Sequence, residues 1–188
     1  DEQARLTGAV NTIVNDNGRL KGYNTDGDGL LKALKQELGV EVPGLRIMLL
    51  GAGGACRAAL VALCRSGAAW VGIANRTDER SQSLITEFAE QFKGTTLASF
   101  PLSTALSAAC PEPVDLLVNT SAVGLKGEAF GFPATGCVRP GGSVYDMVYM
   151  AETTPLVRQA RRAGLAAADG LGVLAGQGVM RRALKRES

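Results

Sequence analysis

A glycine-rich turn follows a short apolar segment near the middle of the chain. Residues 46–50 read Arg-Ile-Met-Leu-Leu, and residues 51–55 continue as Gly-Ala-Gly-Gly-Ala ahead of an alanine- and leucine-rich segment. Small residues let a backbone approach a pyrophosphate, and a following helix offers unpaired N–H groups and a partial positive charge at its N-terminus. The turn lacks the full G-x-G-x-x-G pattern and could be purely structural, but its place after a buried strand predicts nucleotide binding. The predicted contacts are Gly51, Ala52, Gly53, Gly54 and Ala55.

A second polar group follows the next apolar segment, residues 70–74. Residues 75–80 read Asn-Arg-Thr-Asp-Glu-Arg, at the point where NAD enzymes commonly carry an acid for the ribose hydroxyls. Two guanidinium groups and a hydroxyl favour a 2′-phosphate instead, because a phosphate dianion suits the bidentate geometry of arginine. The alternative is a solvated helix start in which Asp78 and Glu79 offset the arginines. We expect the acids to point away and the cofactor to be NADP rather than NAD.

Three more polar residues stand in apolar or glycine-flanked surroundings. Asn11 interrupts an apolar strand, Asp26 lies in the Gly-Tyr-Asn-Thr-Asp-Gly segment 22–27, and Gln177 lies on a predicted helix of small and apolar residues. Taken singly, each is more often structural than functional; Asp26 or Thr25, for example, could cap the helix that follows. Each therefore needs independent support.

The elements that must position these residues alternate between strand and helix from residue 46 onward. Short apolar runs that end in turns predict buried strands, and alanine–leucine periodicity predicts the helices between them. This alternation predicts an α/β fold with a doubly wound parallel sheet, of the Rossmann type. Residues 9–22 predict a hairpin outside that sheet. The predicted strands are 46–50, 70–74, 96–98, 115–119 and 142–147, and the predicted helices are 26–38, 55–67, 79–92, 102–109 and 171–186.

Composition excludes several classes of chemistry and partner. The 188 residues carry Lys+Arg 20 against Asp+Glu 18, a net charge of +2, and no histidine, which rules out histidine triads and histidine-ligated zinc sites within them. The near-neutral balance argues against nucleic acid and anionic lipid as partners. No apolar run is long enough for a membrane span, and no secretory signal is present, so we expect a cytoplasmic protein. Four cysteines without metal or pairing spacing predict reduced, buried thiols and no metal site.

Seven short motifs together resemble one enzyme family, shikimate dehydrogenase, in their order and approximate spacing. The resemblance covers essentially the whole chain, and its Asn-Thr-Asp-Gly, Asn-Arg-Thr and Asp-Gly-Leu-Gly elements together are far more specific than the glycine turn alone. The motifs are Ala9-Val10-Asn11-Thr12, Asn24-Thr25-Asp26-Gly27, Gly51-Ala52-Gly53-Gly54-Ala55, Asn75-Arg76-Thr77, Val118-Asn119-Thr120-Ser121, Tyr145-Asp146-Met147-Val148-Tyr149 and Asp169-Gly170-Leu171-Gly172.

The resemblance implies NADP-dependent interconversion of 3-dehydroshikimate and shikimate, a step of aromatic amino acid biosynthesis, in a cleft between two domains. In this family the position matched by Asp26 pairs with a catalytic lysine beside the substrate hydroxyl. Asn11 and Gln177 match positions that hydrogen-bond the substrate, and Tyr149 matches a residue beside it. Amide and carboxylate groups suit a polyhydroxylated ring because they offer hydrogen bonds in fixed directions. Hydride transfer also needs a proton partner at the carbonyl oxygen, which a carboxylate can supply.

On the cofactor side, the resemblance places further residues around NADP. Met147 and Gly170 match the lining of the nicotinamide pocket, and Arg76, Thr77 and Arg80 match the 2′-phosphate clamp. Asn75, Thr120 and Ser121 belong to motifs that also contribute to the cofactor site.

The departures from the family pattern concern the first domain. The family carries a serine pair for the substrate carboxylate and an Asn-Val-Thr-x-Pro-x-Lys segment with the catalytic lysine, and neither occurs in these 188 residues, which open on Asp-Glu-Gln. We therefore expect residues 1–25 to be a remnant of the substrate domain, 26–168 the bridging helix and NADP domain, and 169–188 a returning helix. This chain alone should bind NADP with little turnover. A non-catalytic nucleotide sensor and an NAD- or quinate-specific relative remain the alternatives, and oligomeric state is not readable.

Overall fold

The computed structural model describes residues 2–16, 18–103 and 106–171. Within these ranges the chain forms two sheets and a set of surrounding helices. The strands are β1 (Thr12–Asp16), β2 (Arg19–Tyr23), β3 (Arg46–Leu50), β4 (Trp70–Asn75), β5 (Thr96–Pro101), β6 (Val114–Asn119), β7 (Val138–Asp146) and β8 (Ala166–Asp169). The helices are α1 (Glu2–Thr7), α2 (Asp26–Leu38), α3 (Gly54–Arg65), α4 (Asp78–Ala89), α5 (Leu106–Ala109) and α6 (Pro155–Arg162), with a 3₁₀ turn at Ala134–Cys137.

The larger sheet is parallel and has the strand order β5-β4-β3-β6-β7-β8. Successive strands are added toward one edge of the sheet from β3 to β5 and toward the other edge from β6 to β8. Ligands bind in doubly wound sheets where this order switches, which here is between β3 and β6. The predicted fold class is confirmed. Strands β1 and β2 pair with each other in an antiparallel hairpin, as expected for residues 9–22, and form a separate two-stranded sheet.

Alternate residues of the central strands enter two hydrophobic cores on opposite faces of the sheet. Ile47 and Leu49 of β3 pack into one core with α2, α3 and α4, whereas Met48 and Leu50 pack into the other with α5 and α6. Both sets are fully buried. Strands buried on both faces must be apolar along their whole length, which is why residues 46–50 were recognisable from the sequence.

The predicted element bounds need several corrections. Strands β5 and β7 are longer than predicted, and within the predicted helix 102–109 residues 102–103 are not helical while Leu106–Ala109 form α5. Sequence reasoning missed α1, α6 and the edge strand β8. The predicted helix 171–186 lies outside the described residues, apart from Leu171. None of the described helices has the length and apolar character that crossing a bilayer requires.

All four cysteines are buried and none forms a disulfide, as predicted. Burial raises the pKa of Cys56 to about 12 and that of both Cys64 and Cys137 to about 11. Since the thiolate is the reactive form, these side chains act as small core residues. Among the described residues, no three His, Cys, Asp or Glu side chains come together to hold a metal ion.

Candidate cofactor and substrate cleft

The carboxyl ends of β3, β6, β7 and β8 meet the first turn of α2 around one cleft. The cleft has a volume of about 390 Å³. It contains seven residues predicted as site residues, namely Asp26, Ala55, Thr120, Ser121, Met147, Tyr149 and Gly170, together with Ala122, Leu125 and Val148. Residues predicted for substrate and for cofactor thus line the same space.

The glycine turn is shaped for close approach of a ligand. Gly51 has a φ of 105°, which strongly favours glycine, and a Cβ there would lie 3.0 Å from the Ser121 Cβ. Gly53 and Gly54 differ, because a Cβ at either position would meet no protein atom within 4 Å and neither has a positive φ. Neither packing nor backbone conformation therefore requires glycine at these two positions, and the backbone there is open to a ligand.

Helix α3 begins at this turn and directs its free amides to the same place. Its first internal hydrogen bond runs from the Arg57 amide to the Gly53 carbonyl at 3.0 Å, so the preceding amides have no acceptor within the helix. The helix start also carries no acidic side chain. The turn and the helix end together have the geometry that suits a phosphate group.

The end of β4 lies beside the glycine turn, because β3 and β4 are register neighbours and the Gly51 amide donates to the Ala74 carbonyl at 2.8 Å. Arg76, Thr77 and Arg80 are exposed there. Within the described part of the chain, neither arginine takes part in an ion pair. The Asn75 side chain donates to the Thr77 carbonyl at 2.7 Å and stabilises the loop.

The acids that follow this loop do not neutralise the arginines. The Asp78 carboxylate accepts hydrogen bonds from Ser99 Oγ at 2.9 Å and from Gln82 Nε2 at 2.7 Å. It is thereby directed toward β5 and along its own helix. Glu79 is exposed and lines a shallow cleft with Ala52 and Arg80. The two guanidinium groups remain available to an anion, which is the arrangement that the predicted 2′-phosphate clamp needs.

Asn11 and Asp26 form a hydrogen-bonded pair at the other side of the main cleft. Asn11 Nδ2 donates to Asp26 Oδ1 at 2.5 Å, and Asn11 Oδ1 accepts from the Thr25 amide and hydroxyl, each at 3.2 Å. The oxygen contacts fix which way the amide faces. The Asp26 amide donates to Asn24 Oδ1 at 3.1 Å, so the backbone and the carboxylate of Asp26 are both held.

Close packing between α2 and α3 sets the position of Asp26 relative to the glycine turn. A Cβ at Gly27 would lie 2.8 Å from the Ala62 Cβ and 2.9 Å from the Ala58 carbonyl oxygen. Only glycine permits this approach. Asp26 is the residue before this contact, and it lines the same cleft as Ala55 at the start of α3.

The remaining walls are the loops after β6 and β7. The Thr120 hydroxyl donates to the Leu50 carbonyl at 2.9 Å and joins its loop to β3. Gly170 packs against the other loop so closely that a Cβ there would lie 2.3 Å from the Met147 carbonyl oxygen. Tyr149 is 48% exposed, so its side chain is available to a ligand.

The structure places most of the predicted site residues along the carboxyl edge of the larger sheet. Gln177 lies outside the described residues, and its role stays a prediction, as do the individual roles of the other residues. Ala122, Leu125 and Val148 were not predicted as site residues. They are apolar loop residues with no distinguishing chemistry, and only the adjacent Ser121 and Met147 pointed to their location.

Known proteins are similar to this chain in sequence and in architecture. The Shikimate / quinate 5-dehydrogenase family model matches residues 32–109. A shikimate dehydrogenase (NADP(+)) of Geobacter metallireducens is 47% identical over 176 residues, which are 94% of this chain and 62% of that protein. The chain thus spans about three fifths of the length of the curated relatives it matches.

Solved structures of similarly named proteins have the same fold. Shikimate 5-dehydrogenase from Thermus thermophilus, in complex with NADP(H) and shikimate, superposes with a TM-score of 0.81 at 37% identity, covering 98% of this chain and 64% of that one. The Listeria monocytogenes enzyme, in complex with shikimate and NAD, gives 0.81 at 30% identity, covering 96% and 64%. In sequence, fold and shared motifs, the chain is similar to shikimate dehydrogenases over nearly its whole length.

Proposed function

We propose that the protein containing this chain interconverts 3-dehydroshikimate and shikimate with NADP as the hydride carrier, a small-molecule reaction of aromatic amino acid biosynthesis. The observation that carries this proposal is the shared cleft, which is lined by Met147, Gly170 and the carboxylate-bearing Asp26 that Asn11 holds by a hydrogen bond. A nucleotide sensor without catalysis has no use for a carboxylate held in that position.

Residues of this chain fit the cofactor. Bound NADP supplies or accepts the hydride. The amides at the start of α3 and the uncrowded Gly53 and Gly54 bind its pyrophosphate, and Arg76 with Arg80 binds the 2′-phosphate. The loops at residues 120–122 and 147–149 bound the space in which its ring meets the substrate.

On the substrate side, Asp26 acts at the oxygen that changes between hydroxyl and carbonyl. Together with the lysine that the family resemblance places beside it in the first domain, its carboxylate takes up the hydroxyl proton as hydride leaves the ring carbon, and returns it in the reverse direction. Asn11 orients the carboxylate, and Tyr149 and Gln177 contact the substrate ring. Because Asn11 Oδ1 is held by Thr25, the amide cannot turn its oxygen toward Asp26 without losing two hydrogen bonds.

NAD is the second candidate cofactor, because the similar Listeria protein was solved with NAD. The exposed pair of arginines favours NADP, since an NAD site needs no cation at the adenosine ribose. A direct comparison of the two cofactors decides between them.

We also assign residues 1–25 to a remnant of the substrate domain, residues 26–168 to the bridging helix and the cofactor domain, and residues 169–188 to a helix that returns toward the substrate domain. The separate two-stranded sheet supports this division. Ile13 and Leu20 of that sheet are 67% and 68% exposed, as expected for a surface that contacts a further part of the same protein.

The test is turnover by the full-length protein. Formation of NADPH or NADH is followed optically with shikimate or quinate as substrate and with NADP⁺ or NAD⁺ as cofactor. We expect shikimate with NADP⁺ to give the highest kcat/KM. NADP⁺ binding without any shikimate-dependent reduction would contradict the proposed reaction, and preference for NAD⁺ would contradict the proposed cofactor.

A further inference from the structure

Two fully buried polar side chains lie beneath the cleft wall, and the proposed mechanism does not use them. Asn119 ends β6 and Asp146 ends β7, and the two are register partners in the sheet. Both are 0% exposed. A buried amide and a buried carboxyl are costly unless their hydrogen bonds are made, so their contacts show what they hold in place.

The Asn119 side chain connects three points. Its Nδ2 donates to Asp146 Oδ1 at 2.8 Å and to the Val123 carbonyl at 3.0 Å. Its Oδ1 accepts from the Ser121 amide at 3.0 Å and the Ser121 hydroxyl at 2.7 Å. The loop after β6 is therefore wound around this one side chain.

The Asp146 side chain holds the neighbouring loop, which follows β7. Its Oδ1 accepts from the Val148 amide at 3.0 Å as well as from Asn119. The Met147 amide donates to the Asn119 carbonyl at 3.0 Å, and the Gly170 amide donates to the Val148 carbonyl at 3.1 Å. The hydrogen bonds of the pair hold the loops after β6 and β7, and the backbone bond from Gly170 to Val148 continues this network to the end of β8.

We propose that Asn119 and Asp146 are positioning residues which hold the loops at 120–123 and 147–149 in the shape that binds the nicotinamide half of the cofactor. Neither side chain lines the cleft itself. They act through Ser121, Met147 and Val148, and not through the arginines at the end of β4. The inference deepens the proposed function and depends on it.

This separation suggests a binding test with two ligands. NADPH carries the nicotinamide ring, whereas adenosine 2′,5′-bisphosphate carries only the adenosine and its 2′-phosphate. For Asn119→Ala and Asp146→Ala we expect the Kd of NADPH to rise about tenfold or more, with the Kd of the bisphosphate unchanged. For Asp146→Asn, which keeps an oxygen acceptor at the same place, we expect NADPH affinity to recover most of that loss.

A matched control separates positioning from general destabilisation. Thr95→Val removes a buried hydrogen bond of 2.8 Å to the Ala68 carbonyl at the amino-terminal edge of the sheet. It should lower thermal stability and leave both Kd values unchanged. Equal weakening of both ligands by Asn119→Ala, or unchanged NADPH affinity in a folded variant, would overturn the inference.

A measurement on the unmodified chain decides the matter if the alanine variants do not fold. Amide hydrogen exchange followed by NMR should show Ser121 and Val148 protected to the extent of strand residues. Exchange at the rate of an open loop would overturn the inference. Failure of the unmodified chain to bind NADPH would instead overturn the proposed function, and this inference with it.

Discussion

The cleft edge has two sides, which are built from different kinds of contact. The arginine side comprises residues 51–55 and 75–80, where the cationic side chains are exposed and the backbone is left open by glycine. The buried side comprises Asp26 with residues 119–123 and 146–149, where hydrogen bonds hold nearly every segment. Exposed cations attract a phosphate before contact is made, whereas proton and hydride transfer need atoms placed within fractions of an ångström. The difference in construction matches the difference between the two proposed tasks.

Asp26→Asn should have the largest effect, and it tests the buried side. In the full-length protein we expect kcat to fall by about 10²- to 10⁴-fold, because an amide cannot take the proton. NADP affinity should change little. Steady-state kinetics and NADP⁺ titration measure the two quantities.

Asp28→Asn is the matched control for this change, since Asp28 lies in the same first turn of α2. It should leave kcat unaltered. A variant at position 26 that unfolds more easily but turns over normally would assign Asp26 to helix capping.

The double change Arg76→Ala with Arg80→Ala tests the arginine side. We expect NADP⁺ binding to weaken by about 2–4 kcal/mol, roughly 30- to 700-fold, through loss of charge-assisted hydrogen bonds. NAD⁺ binding should be nearly unchanged, and calorimetric titration of both cofactors measures the difference. Arg162→Ala, an exposed arginine on α6, is the control; equal losses for both cofactors would show that the pair does not bind the 2′-phosphate.

The two sides also differ in how far the sequence predicted them. Residues 51–55 and 75–80 are contiguous motifs, and each acts through its own local backbone. The hydrogen bond between Asn119 and Asp146 joins residues 27 positions apart. The two residue types alone do not predict a hydrogen bond at that separation. Sequence reasoning therefore found both motifs but not the buried pair.

The same distinction applies to the fold. Strand β3 was predicted to the residue because both its faces are buried and apolar. Strand β8 is Ala-Ala-Ala-Asp at a sheet edge, and alanine has little strand preference. Helix α6 carried a usable signal that was overlooked: Thr154 caps it by accepting from the Val157 amide, and Pro155 occupies its first turn.

Gly54→Ala sharpens the comparison within the arginine side. The added methyl meets no protein atom and improves helix propensity, so stability should hold or rise by about 0.5–1 kcal/mol. NADP⁺ affinity should fall about tenfold, because the methyl occupies space that the pyrophosphate needs. Thermal melting and titration together measure this opposition. Gly94→Ala, another position where a Cβ would meet nothing, should alter neither; a Gly54 variant that binds normally would show that the turn is structural.

The smallest expected effect is on the pH dependence of the free energy of unfolding, which should have opposite signs for Asp146 of the buried pair and for Glu87 of a surface ion pair. Burial raises the pKa of the Asp146 carboxyl above its ordinary 3.8, against the opposing effect of Thr154, the Val148 amide and Asn119. The folded state then holds its proton more tightly than the unfolded state, so this group contributes stability that grows as pH falls through the folded pKa and levels off below 3.8. Relative to Asp146→Asn, the unmodified chain should therefore gain stability as the pH is lowered.

Glu87 provides the opposite sign within the same chain. Its hydrogen bonds with the Arg57 guanidinium hold the pKa of its carboxyl below the ordinary 4.5, so its contribution is present above 4.5 and lost as pH falls through the folded value. Relative to Glu87→Gln, the unmodified chain should lose stability on acidification, by a small amount because the pair is solvent-exposed. Urea unfolding of both variants between neutral and acidic pH measures the two slopes. Slopes of the same sign would mean that Asp146 keeps its charge in the folded protein, and that hydrogen bonding rather than burial governs the base of the cleft.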